Sequence, residues 1–142
     1  MKNAETIIAE NKAWAEETFE KLDRKLSAMT IRSRDKLPDG CDENGIHIDR
    51  YPTSKAKWTN GFWGGLNWLM YNQTKNEEYL KTARRSGELL EDAADHFTVL
   101  HHDVGFMWHL TAGVDYRLTG NAKAKNRNLY MAASLMSRFV LG

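Results

Sequence analysis

The stretch His101-His102-Asp103-Val104-Gly105-Phe106-Met107 decides the reading of this chain, because three ionisable residues give way at once to an apolar helix start. Upstream, Trp58-Thr59-Asn60-Gly61-Phe62-Trp63 follows the same plan: a polar approach, a Gly-Phe pair and an apolar run. The two Gly-Phe pairs lie 44 residues apart. The far ends of the apolar runs also match. Tyr71-Asn72-Gln73-Thr74-Lys75-Asn76 and Tyr116-Arg117-Leu118-Thr119-Gly120-Asn121 share Tyr, Thr and Asn at corresponding places, 45 residues apart. A helix-pair period of this length belongs to an α/α toroid or to an open helical solenoid.

Helical periodicity fills in the units. Residues 61–73 and 105–118 read as inner helices rich in Trp, Phe and Met, and the first is apolar on nearly every side, which predicts burial. Residues 77–95 and 122–140 read as amphipathic outer helices. In the first, Leu80, Ala83, Gly87, Leu90, Ala94 and Phe97 share a face; in the second, Leu129, Ala132, Met136 and Phe139 do so. The contrast between inner and outer helices favours the toroid. A long amphipathic helix over 4–30 precedes them, with Ile8, Ala15, Phe19, Leu22, Leu26 and Met29 on one face. Residues 31–57 carry both prolines and several turn residues, and read as one long loop. Gly120 reads as a helix-terminating glycine in the left-handed conformation. The fold class is all-α, with about five helices in helical-hairpin repeats.

Composition narrows the function. The 142 residues make about one domain, enough to bury roughly 70% of the unfolded surface. Twenty basic and 19 acidic residues nearly cancel, which gives no support for a nucleic-acid or membrane-surface partner. A single cysteine, Cys41, excludes an intrachain disulfide framework. Glu5 and Glu10 interrupt any signal-peptide pattern in the first 13 residues, and no apolar run reaches a membrane-span length. A cytoplasmic protein is the expectation.

In either helical array the loops before the inner helices emerge at one end. Trp58, Thr59 and Asn60 should therefore neighbour His101, His102 and Asp103. Aromatic faces with short polar groups around a concave mouth suit a sugar, and helix N-termini there favour an anionic one. Plainer readings stand beside this one. Asp103 and Asn60 are both good helix caps, and Trp58 and Trp63 have the character of core residues. The histidines invite a metal, yet no His-x-x-x-His or Glu-x-x-His pattern is present, and no metal site is expected.

Taken together, Trp58 to Trp63, His102 to Phe106, Tyr116 to Gly120 and the Ala132-Ala133…Arg138-Phe139 ending resemble glycoside hydrolase family 88, the unsaturated glucuronyl hydrolases. The resemblance runs from about Trp58 to the end. It implies an (α/α)6 barrel, of which residues 1–142 are the N-terminal part of a single catalytic domain. It also implies a chemistry without metal or organic cofactor. An Asp protonates C4 of an unsaturated uronic acid and activates water for addition at C5, and the resulting hemiketal opens to release the second sugar. The same Asp must be acid first and base afterwards, which calls for a raised pKa.

Of the two aspartates such enzymes use, the resemblance maps only the auxiliary one here, Asp103; the principal acid/base falls beyond residue 142. The expected substrate contacts are Trp58, His102, Asn60 and Trp63, and the expected partner is an oligosaccharide bearing an unsaturated uronic acid. Phe62, Trp63, Met107 and Trp108 of a partial barrel are expected to stay partly uncovered and to favour association. Two rival readings are an unsaturated rhamnogalacturonyl hydrolase of the same fold and a helical-repeat binding module without chemistry.

Overall fold

The structure is a computed structural model and describes residues 3–140. Its centre is a helical hairpin of α2 (Asn60–Thr74) and α3 (Glu77–Ala94), preceded by α1 (Ala4–Arg32) and a two-stranded antiparallel hairpin, β1 (Pro38–Cys41) and β2 (His47–Asp49). A 3-10 turn at Phe97–Val99 leads into α4 (Val104–Trp108), α5 (Ala112–Thr119) and α6 (Ala122–Met136). The last three form the second unit. α6 packs back on α4 and α5, while α4 and α5 lie against α2.

The two units end alike. α2 closes on Lys75 at φ 57° and α5 on Gly120 at φ 73°, each donating its backbone N–H to the tyrosine carbonyl four residues back. The glycine was expected. The lysine, at the matching point of the other unit, adopts the same conformation against its side-chain sterics. After each turn an asparagine caps the outer helix: Asn76 accepts from the Glu78 N–H, and Asn121 from those of Lys123 and Ala124. In the second unit buried Asp115 accepts from Thr119 Oγ1 (2.7 Å) and Asn121 Nδ2 (2.8 Å), and meets Arg84 of α3 at 3.6 Å. The shared Tyr…Thr…Asn pattern is therefore a turn-building motif.

Burial follows the inner helices, with exceptions. Trp108, Met107 and Val104 pack with Leu37, Leu90, Ala93, Ala94, Leu100 and Met131 in the largest core cluster. Trp68 packs with Leu80 and Ala83. Trp63, Met70 and Tyr79 pack with Leu26. Each buried Val, Leu or Met side chain among them contributes roughly 1.5–3 kcal/mol relative to leaving it exposed.

Several expectations need correction. α2 is buried on one side only, through Asn60, Gly61, Trp63, Gly64, Gly65, Asn67, Trp68 and Met70. Phe62, Leu66 and Leu69, on its other side, are exposed, and of these Phe62 was expected to stay partly uncovered. Two adjacent glycines explain which side goes in, because they let the second unit approach closely. A Cβ on Gly64 would stand 2.7 Å from Thr111 Cγ2, and one on Gly65 would stand 3.1 Å from Leu110 Cβ. The inner helix expected over 105–118 is broken at residues 109–111. Thr111 is buried there, and its hydroxyl donates to the Met107 carbonyl at 2.7 Å, an alternative to the helical ladder.

Residues 31–57 contain the β-hairpin rather than loop alone. Residues 4–17 of α1 are exposed, so Ile8 and Ala15 do not join the packed face of Phe19, Leu26 and Met29. In α6, Ala124, Met131 and Ser134 are buried, whereas Leu129, Ala132 and Met136 are exposed, as is Phe139 beyond the helix end. The side chain of Phe97 lies outside the described residues. Trp63, Met107 and Trp108, expected to stay partly uncovered, are buried; the open apolar patch is Phe62, Leu66 and Leu69. With Leu26, Met29, Leu110 and Val114 these residues line a groove of about 650 Å³.

Candidate active site

The two polar approaches do meet. Gly61 lies so close to α4 that a Cβ there would stand 2.2 Å from the Phe106 carbonyl oxygen and 2.6 Å from Met107 Cα. Contact between the units at their N-terminal ends brings three rings together. Phe62 and Phe106, the aromatic partners of the two Gly-Phe pairs, stack at 6.0 Å with planes 24° apart. Trp58 stands edge-on to Phe62 at 5.6 Å and tilted against Phe106 at 6.0 Å. All three are open to solvent, at 45%, 43% and 49% exposure. They form an aromatic rim with apolar faces available to a ligand.

Beside the rim sits Asp103. It occupies the N-cap of α4 but makes no side-chain cap bond. Its Oδ2 instead faces two imidazoles, His101 Nδ1 at 3.3 Å and His102 Nε2 at 3.5 Å. His101 is fixed by the backbone: its Nε2 donates to the Ala56 carbonyl (2.7 Å), and its Nδ1 accepts from the Asp103 N–H (3.2 Å). In the neutral ring this selects the tautomer with the proton on Nε2. His102 is held by little and its side chain is 86% exposed. A carboxylate turned away from its cap position in this way is available to bind sugar hydroxyls; a purely capping Asp103 would direct its oxygens at α4.

Asn60 and Trp63 do not present themselves to this mouth. Asn60 is the first residue of α2 rather than its cap and is buried; its Nδ2 donates to the carbonyls of Ser54 and Lys55, both at 3.0 Å. The amide anchors the preceding loop, and this displaces its expected role as a sugar contact. Trp63 is core, edge-on to His47 at 5.2 Å. Thr59 is also occupied, because its hydroxyl donates to Asp39 Oδ1 at 3.1 Å. Asp39 was passed over in the sequence because Pro38-Asp39-Gly40 reads as an ordinary turn.

The hairpin beneath the approach has its own electrostatics. Lys57, first of all, then Thr59 and Arg50 hold the Asp39 carboxyl below the usual range, against the opposing effect of partial burial. Burial, with Arg32 and Lys36 nearby, holds the His47 imidazole below its ordinary value. Burial and the hydrogen bond to Asp92 push the Tyr51 hydroxyl up to about 12. Among the described residues no group of three His, Cys, Asp or Glu side chains is placed to hold a metal ion, and no helix is long and apolar enough to cross a membrane.

No protein-family model matches the chain. Individual proteins do. The chain is 36% identical over 113 residues to the unsaturated glucuronyl hydrolase of Bacillus sp. strain GL1, an alignment covering 78% of this chain and 30% of that protein. It is 27% identical over 125 residues to an unsaturated chondroitin disaccharide hydrolase of Streptococcus agalactiae, covering 87% and 31% respectively. A crystal structure of a Streptococcus agalactiae unsaturated glucuronyl hydrolase variant, complexed with dGlcA-GalNAc6S, superposes with a TM-score of 0.68 at 25% identity, covering 84% of this chain and 32% of that one. The helical hairpins are accordingly part of an (α/α)6 barrel. In sequence and in fold the chain is a relative of the unsaturated glucuronyl hydrolases, spanning about a third of their length.

Proposed function

We propose that this chain is the N-terminal part of a glycoside hydrolase domain that hydrates the C4=C5 double bond of an unsaturated uronic acid at the non-reducing end of a lyase-generated disaccharide. The observation that carries this reading is the carboxylate of Asp103 between His101 and His102, next to the exposed Trp58, Phe62 and Phe106 rim. The aromatic faces would cover the apolar face of the sugar ring. His102 would bind a sugar hydroxyl, and Asp103 would hold the unsaturated sugar and tune a second carboxylate.

That second carboxylate delivers the proton to C4 and takes one from the water that attacks C5. It would come from the part of the barrel that the relatives have and these 142 residues do not match. The relatives' names favour glycosaminoglycan-type disaccharides over rhamnogalacturonan fragments as substrate. The single exposed thiol, Cys41, suits a cytoplasmic setting.

The test is optical, because hydration removes the conjugated absorbance of the disaccharide. Mixed with an unsaturated chondroitin disaccharide, residues 1–142 alone should leave the absorbance unchanged while binding the sugar. A chain extended to the relatives' length should remove it, and Asp103→Asn in that chain should slow the loss by at least about 100-fold, because the second, proton-transferring carboxylate loses the charge that tunes it. Near-normal turnover of the Asn variant would remove Asp103 from the site. Turnover by residues 1–142 would mean that Asp103 alone supplies the proton.

A further inference from the structure

The β-hairpin takes no part in the site as described so far, yet one of its side chains reaches toward the rim. Asp39 of β1 receives Thr59 Oγ1 at 3.1 Å on one oxygen; the other is bonded by Lys57 Nζ and faced by Arg50 Nε at 3.5 Å. Lys57 and Thr59 are the two chain neighbours of Trp58. The carboxylate thus holds the residues before and after Trp58, whose indole has described ring contacts only with Phe62 and Phe106.

These contacts are not what holds the hairpin down. Leu37, fully buried, sits in the main core. Asp49 Oδ1 accepts from the N–H groups of Leu37 (3.0 Å) and Tyr51 (3.1 Å). His47 is bonded to Ser33 Oγ (2.9 Å) and stands against Trp63. With the hairpin docked by those groups, Asp39 is left to act outward, on residues 50, 57 and 59. Its side chain is only 18% exposed, so water screens these ion pairs less than it would at the open surface.

We propose that Asp39 is a positioning residue for the sugar site: by holding Lys57 and Thr59 it fixes the direction in which the Trp58 indole faces the ligand. Its role toward a sugar rests on the reading given under Proposed function, whereas the ordering of Trp58 does not. The hairpin then acts as a bracket for the aromatic rim, and a carboxylate 19 residues from Trp58 in sequence governs affinity without touching the sugar.

The experiment uses this chain with 5-fluorotryptophan in place of tryptophan, and reads each indole by fluorine NMR, with Trp58 assigned through Trp58→Phe. In Asp39→Ala the Trp58 resonance should move toward the solvent-exposed position and narrow, while Trp63, which reports the docked hairpin, stays in place. Affinity for an unsaturated chondroitin disaccharide should fall about tenfold, the size expected when a side chain must be ordered on binding. Asp39→Asn, which keeps an acceptor for Thr59 but loses both ion pairs, should fall between.

A Trp58 resonance identical in parent and Asp39→Ala overturns the proposal. So does a joint shift of Trp58 and Trp63, which means that the hairpin has come loose as a whole. If Asp39→Ala does not fold, Lys57→Met and Thr59→Val remove the two arms singly and are judged by the same two resonances. Failure of the parent chain to bind the disaccharide strikes the sugar reading instead, and the Trp58 signal still decides whether Asp39 positions the indole.

Discussion

The two polar approaches share a sequence plan and differ in how they are held. Trp58-Thr59-Asn60 is bound from below: Thr59 to Asp39, Lys57 to Asp39, Asn60 to the carbonyls of Ser54 and Lys55. Among the described residues, the side chains of His101-His102-Asp103 reach the rest of the fold through His101 to Ala56 and otherwise meet one another, while the His101 and Asp103 carbonyls accept from Val104 and Phe106 of α4. The following helices differ in parallel. α2 runs unbroken for 15 residues, while its counterpart breaks into α4 and α5. The difference teaches that the first approach is fixed by polar bonds to the preceding loop and hairpin, whereas the second leaves the Asp103 carboxylate without a cap bond and the His102 side chain exposed.

The sharpest way to test this asymmetry is at the two equivalent glycines. Gly61→Ala places a Cβ against the backbone of α4, which cannot move aside as a side chain could. It should cost about 3 kcal/mol, in the range of forced overpacking. Gly105→Ala meets nothing within 4 Å and no left-handed backbone, so it should stabilise α4 by about 0.5 kcal/mol. Urea unfolding of both variants measures the difference, and equal effects would remove the claim that only the first glycine marks a contact between units.

The paired helix ends come next. Gly120→Ala forces a side chain into a left-handed turn and should cost about 1 kcal/mol, whereas Lys75→Gly should recover a similar amount. Thermal unfolding should therefore shift in opposite directions for the two.

The histidines divide in the same manner. His101→Ala removes the bond that joins the second approach to the first and should cost about 1 kcal/mol. His102→Ala should leave stability within about 0.5 kcal/mol, as for an exposed side chain, and weaken sugar binding. A His102→Ala chain that binds the disaccharide normally would take that residue out of the site.

Acid should act on the hairpin first. His47 has its folded pKa below its unfolded value of 6.5, so the unfolded chain takes up the proton sooner and stability falls as pH drops below about 6.5. Asp39 has a folded pKa below 3.8; its contribution is present above that value and is lost as pH falls through the lower, folded one. The Trp63 emission, read against pH, reports this loosening through its contact with His47. His47→Gln should abolish the upper step.

Much of the fold was legible because periodicity is a local property. The two units, the turn chemistry at Gly120 and the meeting of the two approaches all follow from spacing alone. What the apolar composition of α2 did not disclose is that only one of its sides is buried. α2 buries Asn60, Asn67 and three glycines while Phe62, Leu66 and Leu69 stay outside. Asn67 is satisfied there, its Oδ1 accepting from Thr30 Oγ1 (2.6 Å) and its Nδ2 donating to the Trp63 carbonyl (2.8 Å), so its burial carries no unmet polar cost. Close approach between backbones needs small residues, and hydrophobicity counts do not register that need.

The sequence by itself determined the hairpin repeat and the end at which the two polar approaches meet, because helix spacing is written in order along the chain. Only the tertiary structure decided that Asn60 and Thr59 are scaffold, that Trp63 is core and that Asp39 reaches the rim. Those roles depend on which partners a polar group finds within about 3 Å, and the partners lie between 5 and 20 residues away, outside any helical period.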